Sequence, residues 1–338
     1  MTDVSPVIDR RDVALLVLLS ILWGGGYVLA GIALKDLAPL SVVCVRVAIG
    51  ALTLLPVVWL YRDPLPKGLK GWSPFFVMGM LNNVIPFSLL ILGQSQTSAA
   101  LTSIVNATTP LFTVLLTASF GEERLTASKI AGVLLGLAGV AILRGQGADI
   151  SSAQTLGIVL CLGAALSFGF SGLWGQRKLQ GVPPHISAFC QLLCSTMVLI
   201  PLSAAIEQPW TREMPGVPAW LSLIGLGALS TALAYIVFFR ILARSGATNV
   251  MLVTLLMPIT TVVLGHFVLG EVLDSREIAG ALVIASALLA IDGRLPRRIV
   301  RVASETLAQG RERAFQVRDQ IVHILDPDRK THQPVIDS

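Results

Sequence analysis

Residues Asn106 to Gly132 read NATTPLFTVLLTASFGEERLTASKIAG, and residues Thr254 to Gly280 read TLLMPITTVVLGHFVLGEVLDSREIAG. Set 148 positions apart without a gap, the two stretches pair Pro110 with Pro258, Glu123-Arg124-Leu125 with Glu271-Val272-Leu273, and Ala131-Gly132 with Ala279-Gly280. In both, an apolar run broken by proline is closed by an acidic turn and followed by a second apolar run containing glycine. A landmark set that returns at one fixed offset marks a duplicated unit.

Working outward, Trp72 pairs with Trp220, Gly79 with Gly227, Phe87 with Tyr235 and Ala99 with Ala247 at the same offset. Further upstream the offset is 145, which pairs Trp23-Gly24 with Phe168-Gly169, Pro39 with Pro184, Arg46 with Gln191 and Pro56 with Pro201. The 338 residues are 54% hydrophobic and 13% charged, with a mean hydropathy of +0.76. Soluble domains carry about 25% charged residues, so most of this chain is read as facing lipid. The apolar runs have the length that crosses a hydrocarbon core as helix, and they lack the alternation of a transmembrane barrel.

Ten spans are expected, at 13–34, 39–60, 72–93, 97–120, 126–143, 155–177, 184–206, 218–241, 247–270 and 275–292. The fold expected is therefore an all-α membrane protein of ten transmembrane helices in two inverted five-helix repeats. Its divisions are a cytoplasmic N-terminus (1–12), a first repeat (13–144), a linker (145–154), a second repeat (155–292) and a basic tail (293–338). An odd number of spans per half makes the second copy enter the membrane from the opposite side. With the N-terminus inside, one face gathers Arg10, Arg11, Arg62, Lys67, Lys70, Arg124, Lys129, Arg177, Lys178, Arg240 and Arg244, against Lys35, Arg144, Arg212 and Arg276 on the other. That asymmetry puts both termini in the cytoplasm. Leu307, Ala314, Val317, Ile321 and Ile324 recur at helical spacing, so the tail is read either as an amphipathic helix on the inner leaflet or as a loosely ordered extension.

Trp23-Gly24, Arg46, Pro110 with Glu123-Arg124-Leu125 and Gly132, and Pro258 with Glu271 and Gly280 give this sequence a resemblance to the EamA family of the drug/metabolite transporter superfamily over residues 13–292. The resemblance implies a secondary transporter of a bacterial inner membrane, exporting or exchanging small metabolites such as amino acids through a cavity that opens alternately to each side. It implies a small-molecule substrate and the lipid bilayer as partners, and no cofactor, metal, nucleic acid or ATPase subunit. Val272 in place of Arg124 and Gln191 in place of Arg46 are departures from repeat symmetry.

Candidate site residues follow from what lipid penalises. Proline lacks an N–H, so Pro86, Pro110 and Pro258 each leave a carbonyl four residues earlier without its helical donor, at Asn82, Asn106 and Thr254. Those residues, with Asn83 and Thr109, are candidates to line a cavity or to hydrogen-bond between helices. Arg46, about 10 Å inside its helix, is placed either on a substrate carboxylate or in a helix-locking role. Trp23, Tyr27, Phe168, Trp174 and Tyr235 are candidate aromatic walls, with interface anchoring the competing reading for Trp174. Glu123, Arg124 and Glu271 are read as structural turn residues, the glutamates capping the turn or pairing with Arg124 and Arg276. No carboxylate falls well inside a span, and His266 is read as a packing histidine, so exchange or uniport is expected over proton symport.

No GxxxxGK[ST] loop occurs, which excludes direct ATP use by this chain. Cys44, Cys161, Cys190 and Cys194 all lie in apolar runs and read as packing residues. An integral-membrane enzyme and a regulated channel or sensor remain as alternatives from other classes; saturation and trans-stimulation of solute uptake discriminate them from a carrier.

Overall fold

A computed structural model describes residues 9–122, 125–144, 152–250 and 252–292, with the side chains of 246–249 and of residue 292 left undescribed. Those residues are almost entirely helical. The helices are α1 (Arg10–Ala33), α2 (Pro39–Tyr61), α3 (Gly68–Gly79), α4 (Ile85–Gln94), α5 (Ala99–Asn106), α6 (Thr109–Ser119), α7 (Ala127–Arg144), α8 (Ala153–Lys178), α9 (Pro184–Glu207), α10 (Val217–Ile224), α11 (Ala234–Val250), α12 (Val253–Leu269) and α13 (Ser275–Asp292). Two π-helical segments, Met80–Val84 and Gly225–Leu233, join α3 to α4 and α10 to α11. Helices up to Ile291 belong to one compact unit, and the expected tail from Gly293 onward lies outside the described residues, as do Glu123, Arg124 and most of the linker.

Eight helical stretches are long and apolar enough to cross a membrane. The remaining two fall just short: α12 has 17 residues, and α13 carries Arg276, Glu277 and Asp292 within its 18. Proline opens several helices, at Pro39, Pro110, Pro184 and Pro218, where its missing N–H costs nothing. Gly270 ends α12 in the left-handed region with φ of 69°, a conformation that Cβ-bearing residues resist.

Neighbour relations repeat across the two halves. Helix α1 packs on α12 and α6 packs on α8; likewise α4 packs on α8, and α1 packs on α10 and the π segment that follows it. Helices α2 and α9, which occupy the same place in the two copies of the repeat, pack against each other. That pair is tied at both ends. Glu207, at the end of α9, accepts the Leu40 and Ser41 amides at 2.7 Å each, while Asp63, just past α2, lies 2.9 Å from His185 Nε2 at the start of α9.

Glycines set how closely helices approach. A Cβ at Gly79 would sit 2.8 Å from the Gln191 carbonyl oxygen, and one at its repeat partner Gly227 would sit 2.9 Å from the Arg46 carbonyl oxygen. Gly139 and Gly280 face each other's backbone in the same way, at 3.1 and 3.0 Å, which packs α7 against α13 through small residues.

Three boundaries differ from the sequence expectation. Helix α1 starts at Arg10, and Asp12 is buried in its first turn on Arg244 Nε at 3.0 Å. The second difference is that α11 continues through Arg244 to Val250, so the expected turn between spans eight and nine is helical. The third concerns the prolines. Pro110 starts a new helix after the Ala107–Thr108 turn, whereas Pro258 lies inside an unbroken α12.

Valine at Gly79 or at Gly227 is expected to cost about 1–3 kcal/mol through overpacking against a backbone carbonyl. Gly172, where an added Cβ would meet no atom within 4 Å, should accept alanine without loss. Thermal denaturation in detergent, followed by size-exclusion chromatography, reads both effects as a lowered or unchanged melting temperature.

Candidate functional site

Asn82 and Asn83 belong to the first π segment, Thr231 to the second, and Tyr235 lies just beyond it at the start of α11. A π turn inserts an extra residue into the i→i−4 ladder and rotates the following side chains, and such insertions gather at functional positions. Here each presents polar groups towards the α2–α9 pair. Arg46 Nε donates to Thr231 Oγ1 at 2.9 Å, and its guanidinium lies over the Phe87 ring, 3.8 Å from the centroid. On the other side, Asn82 Nδ2 donates to Gln191 Oε1 and to Tyr235 Oη, both at 2.9 Å. Arg46 and Gln191 are repeat partners, so each half's π segment grips the same position of the opposite half, once through a charge and once through an amide.

The network extends without a break. Tyr235 Oη donates to Asn83 Oδ1 at 3.1 Å, Asn83 Nδ2 donates to Ser195 Oγ at 3.1 Å, and Ser171 Oγ donates to Asn82 Oδ1 at 3.1 Å. Asn83 is fully buried with both ends of its amide engaged, which makes it part of the wall's support. Both Tyr27 and Tyr235 stand within electrostatic reach of Arg46. Tyr27 Oη accepts from Asn106 Nδ2 at 2.8 Å, bringing α1 and α5 to the same place. No carboxylate lies within ion-pair distance of Arg46 among the described residues.

The carbonyl freed by Pro86 is placed differently from the sequence expectation. The Ile85 amide bonds the Met80 carbonyl, five residues back, so the π register moves the carbonyl facing Pro86 from Asn82 to Leu81. Ser167 Oγ from α8 donates to Leu81 O at 2.8 Å and satisfies it. At Pro110 the Asn106 carbonyl, freed as expected, accepts the Thr109 hydroxyl at 2.8 Å, and the Asn106 side chain is half-buried. Thr254 sits half-buried in the first turn of α12 with Pro258 one turn on.

The aromatic candidates separate. Phe168 meets Phe87 edge-on at 6.1 Å and so borders Arg46. Trp23 packs on Phe238 at 5.5 Å, in the cluster that joins α1 to α11. Trp174 leaves the group: its indole Nε1 donates to the Pro74 carbonyl at 3.0 Å, which ties α8 to the middle of α3. Glu271 neither caps its own turn nor pairs with Arg276, which instead meets Asp274 at 3.1 Å. Its carboxylate accepts the Ala99 and Ala100 amides at 2.7 and 3.0 Å, capping α5 in the opposite half. Thr231, Ser171, Ser195 and Phe87 were absent from the sequence candidates. Thr231 is the repeat partner of Asn83 at offset 148, which is the signal that would have found it.

Comparison with known proteins finds the same duplication. The EamA-like transporter family covers residues 11–145 and again 155–291. The chain belongs to the EamA-like transporter family. Among relatives of this EamA-like protein, the uncharacterized transporter YvbV of Bacillus subtilis is 27% identical over 288 residues, spanning 83% of this chain and 92% of its own. A probable amino-acid metabolite efflux pump of Salmonella typhimurium is 26% identical over 306 residues, spanning 87% of this chain and 99% of its own. A solved crystal structure superposes with a TM-score of 0.60 at 19% identity, over 86% of this chain and 99% of that one, which shows a shared fold. The EamA-like chain is thus a multi-pass membrane protein of a transporter family.

Replacing Glu271 with alanine removes the carboxylate that caps α5 and should cost about 1–2 kcal/mol locally. Hydrogen–deuterium exchange reads it as roughly tenfold faster exchange of the Ala99 and Ala100 amides, with α9 unchanged.

Proposed function

We propose that this protein is a secondary transporter that exports or exchanges small carboxylate-bearing metabolites, such as amino acids, by alternating access, with Arg46 receiving the carboxylate. The observation that carries this reading is Arg46 itself. A charge inside a membrane span costs about 3 kcal/mol or more unless something answers it. Its neighbours are hydroxyls, amides and an aromatic face, none of which neutralises it. A substrate carboxylate, bound bidentately by the guanidinium, supplies the missing charge.

The surrounding groups suit an organic solute. Phe87 and Phe168 offer apolar surface, while Asn106, Asn82 and the two tyrosine hydroxyls offer orienting hydrogen bonds. The name of the Salmonella relative, a probable amino-acid metabolite efflux pump, supports the same class. All ten helical stretches cross the membrane in this reading, in two inverted halves of 13–144 and 155–292, with both termini on the cytoplasmic side of a bacterial inner membrane. Rocking of the halves about the α2–α9 pair alternates access, with α7 and α13 as scaffold.

Exchange or uniport is preferred to proton symport. The buried carboxylates among the described residues sit near helix ends and are spoken for: Asp12 pairs with Arg244, and Glu277 accepts the Asp274 amide at 3.1 Å.

Proteoliposomes loaded with unlabelled amino acids test the proposal. Uptake of labelled amino acid should saturate and be stimulated by solute on the far side; linear, unstimulated flux would contradict a carrier. Arg46→Gln should lower exchange about tenfold or more, the worth of a charge-assisted hydrogen bond, and Asn106→Ala several-fold. Both variants should retain wild-type membrane abundance. Loss of abundance in step with exchange would assign Arg46 a structural role instead.

A further inference from the structure

A cavity of about 330 Å³ lies away from Arg46, where the end of α1 and the α4–α5 connection of the first half meet the end of α12 in the second. Gly31, Lys35, Gln94, Ser95, Leu269 and Glu271 line it. A Cβ at Gly31 would run into Leu269 Cδ1 at 2.9 Å and Gln94 Nε2 at 3.3 Å, so glycine keeps this seam from being filled.

Gln94 is the group that asks for a ligand. Only 5% of it is exposed, its Nε2 donates to the Tyr27 carbonyl at 2.7 Å, and its Oε1 is buried with no hydrogen-bond partner. The Tyr27 bond fixes which end of the amide is nitrogen, so the unpartnered atom is an acceptor. An acceptor left without a donor in such a place costs about 1–3 kcal/mol, which a bound N–H would recover. Glu271 adds a carboxylate whose two oxygens each accept one backbone amide and retain capacity for more. Lys35 adds an exposed ammonium that forms no ion pair among the described residues.

We propose that this cavity is a second binding station, for the head group of a small zwitterion whose ammonium meets Gln94 Oε1 and Glu271 and whose carboxylate meets Lys35. A cation, an acceptor and an anion around one cavity fit a solute carrying both charges. A simple amine would be repelled by Lys35, and a simple carboxylate by Glu271. The volume falls within the range of small-ligand sites. The station rests on the transporter reading and deepens it: its lining comes from both halves, so the solute waits at the seam that alternating access must open.

The test uses the full chain in nanodiscs with Ser95→Cys as a reporter. Ser95 is exposed in the cavity lining, whereas Cys161, Cys190 and Cys194 are buried and Cys44 is half-buried, and the parent chain gives the background. L-leucine is the probe, compared with isoamylamine and isocaproate, which lack its carboxylate and its ammonium respectively. Leucine should slow maleimide modification about tenfold at saturation. Lys35→Met or Gln94→Leu should raise the leucine concentration needed by about tenfold, and each analogue should require at least as much more than leucine does. Arg46→Gln should leave protection intact even though it lowers exchange. Absent protection, equal protection by either analogue, insensitivity to Lys35→Met, or loss of protection in Arg46→Gln each overturns the station. Absent protection alongside Arg46-dependent exchange overturns the station while leaving the transporter reading standing.

Discussion

Arg46 and Thr231 join the two halves by one bond, from Arg46 Nε to a hydroxyl carried on a π segment. Much of the surrounding arrangement serves that bond. Within hydrocarbon, a guanidinium and a disrupted backbone ladder both need partners from protein. The π segment delivers Thr231 to Arg46, and Thr231 Oγ1 in turn donates to the Leu226 carbonyl at 2.9 Å, five residues back in the loosened ladder. One hydroxyl therefore serves the guanidinium and a carbonyl together, without neutralising the charge. Gly227 makes this possible by letting its backbone approach the Arg46 carbonyl closely.

The first half reproduces the device with different chemistry. Gly79 approaches the Gln191 carbonyl as Gly227 approaches that of Arg46, and the first π segment sends Asn82 to Gln191 as the second sends Thr231 to Arg46. Duplication thus fixed the geometry, while the residues at the equivalent position diverged into a charge and a neutral amide. The neutral side closes into a network through Tyr235, Asn83, Ser195 and Ser171, and has its polar atoms largely satisfied. The charged side is unbalanced. A duplicated unit with a cation at this position in one copy and a neutral amide in the other is chemically asymmetric at its centre.

Much of the architecture was legible because it follows from coarse constraints. Apolar length pointed to a multi-pass membrane chain and the 148-residue offset to a duplication, and the long apolar helices and the twice-matched family agree with both. Arg46, Asn82, Asn106, Tyr27 and Tyr235 were visible as polar groups in hydrophobic surroundings, and the structure gathers them. The π segments were not legible, since nothing in MLNNV or GLGALSTAL distinguishes an i→i−5 register from an ordinary helix. That one omission explains why the freed carbonyl was sought at Asn82 and found at Leu81. Trp174 and Glu271 were misplaced for another reason. Their partners, Pro74 and the α5 amides, are distant in sequence, and a span-end tryptophan or glutamate carries no mark of the helix it will meet. The turn Glu123-Arg124 lies outside the described residues.

The transport mechanism stands or falls on what Arg46 holds when solute is bound. A high-resolution density map of the protein in nanodiscs, saturated with an amino acid that it exchanges, measures this directly. The solute carboxylate is expected about 2.7–2.9 Å from the Arg46 guanidinium, the spacing of a charge-assisted pair. A solute seated elsewhere, with the guanidinium still lying on Phe87 and making no contact with it, would contradict the central claim.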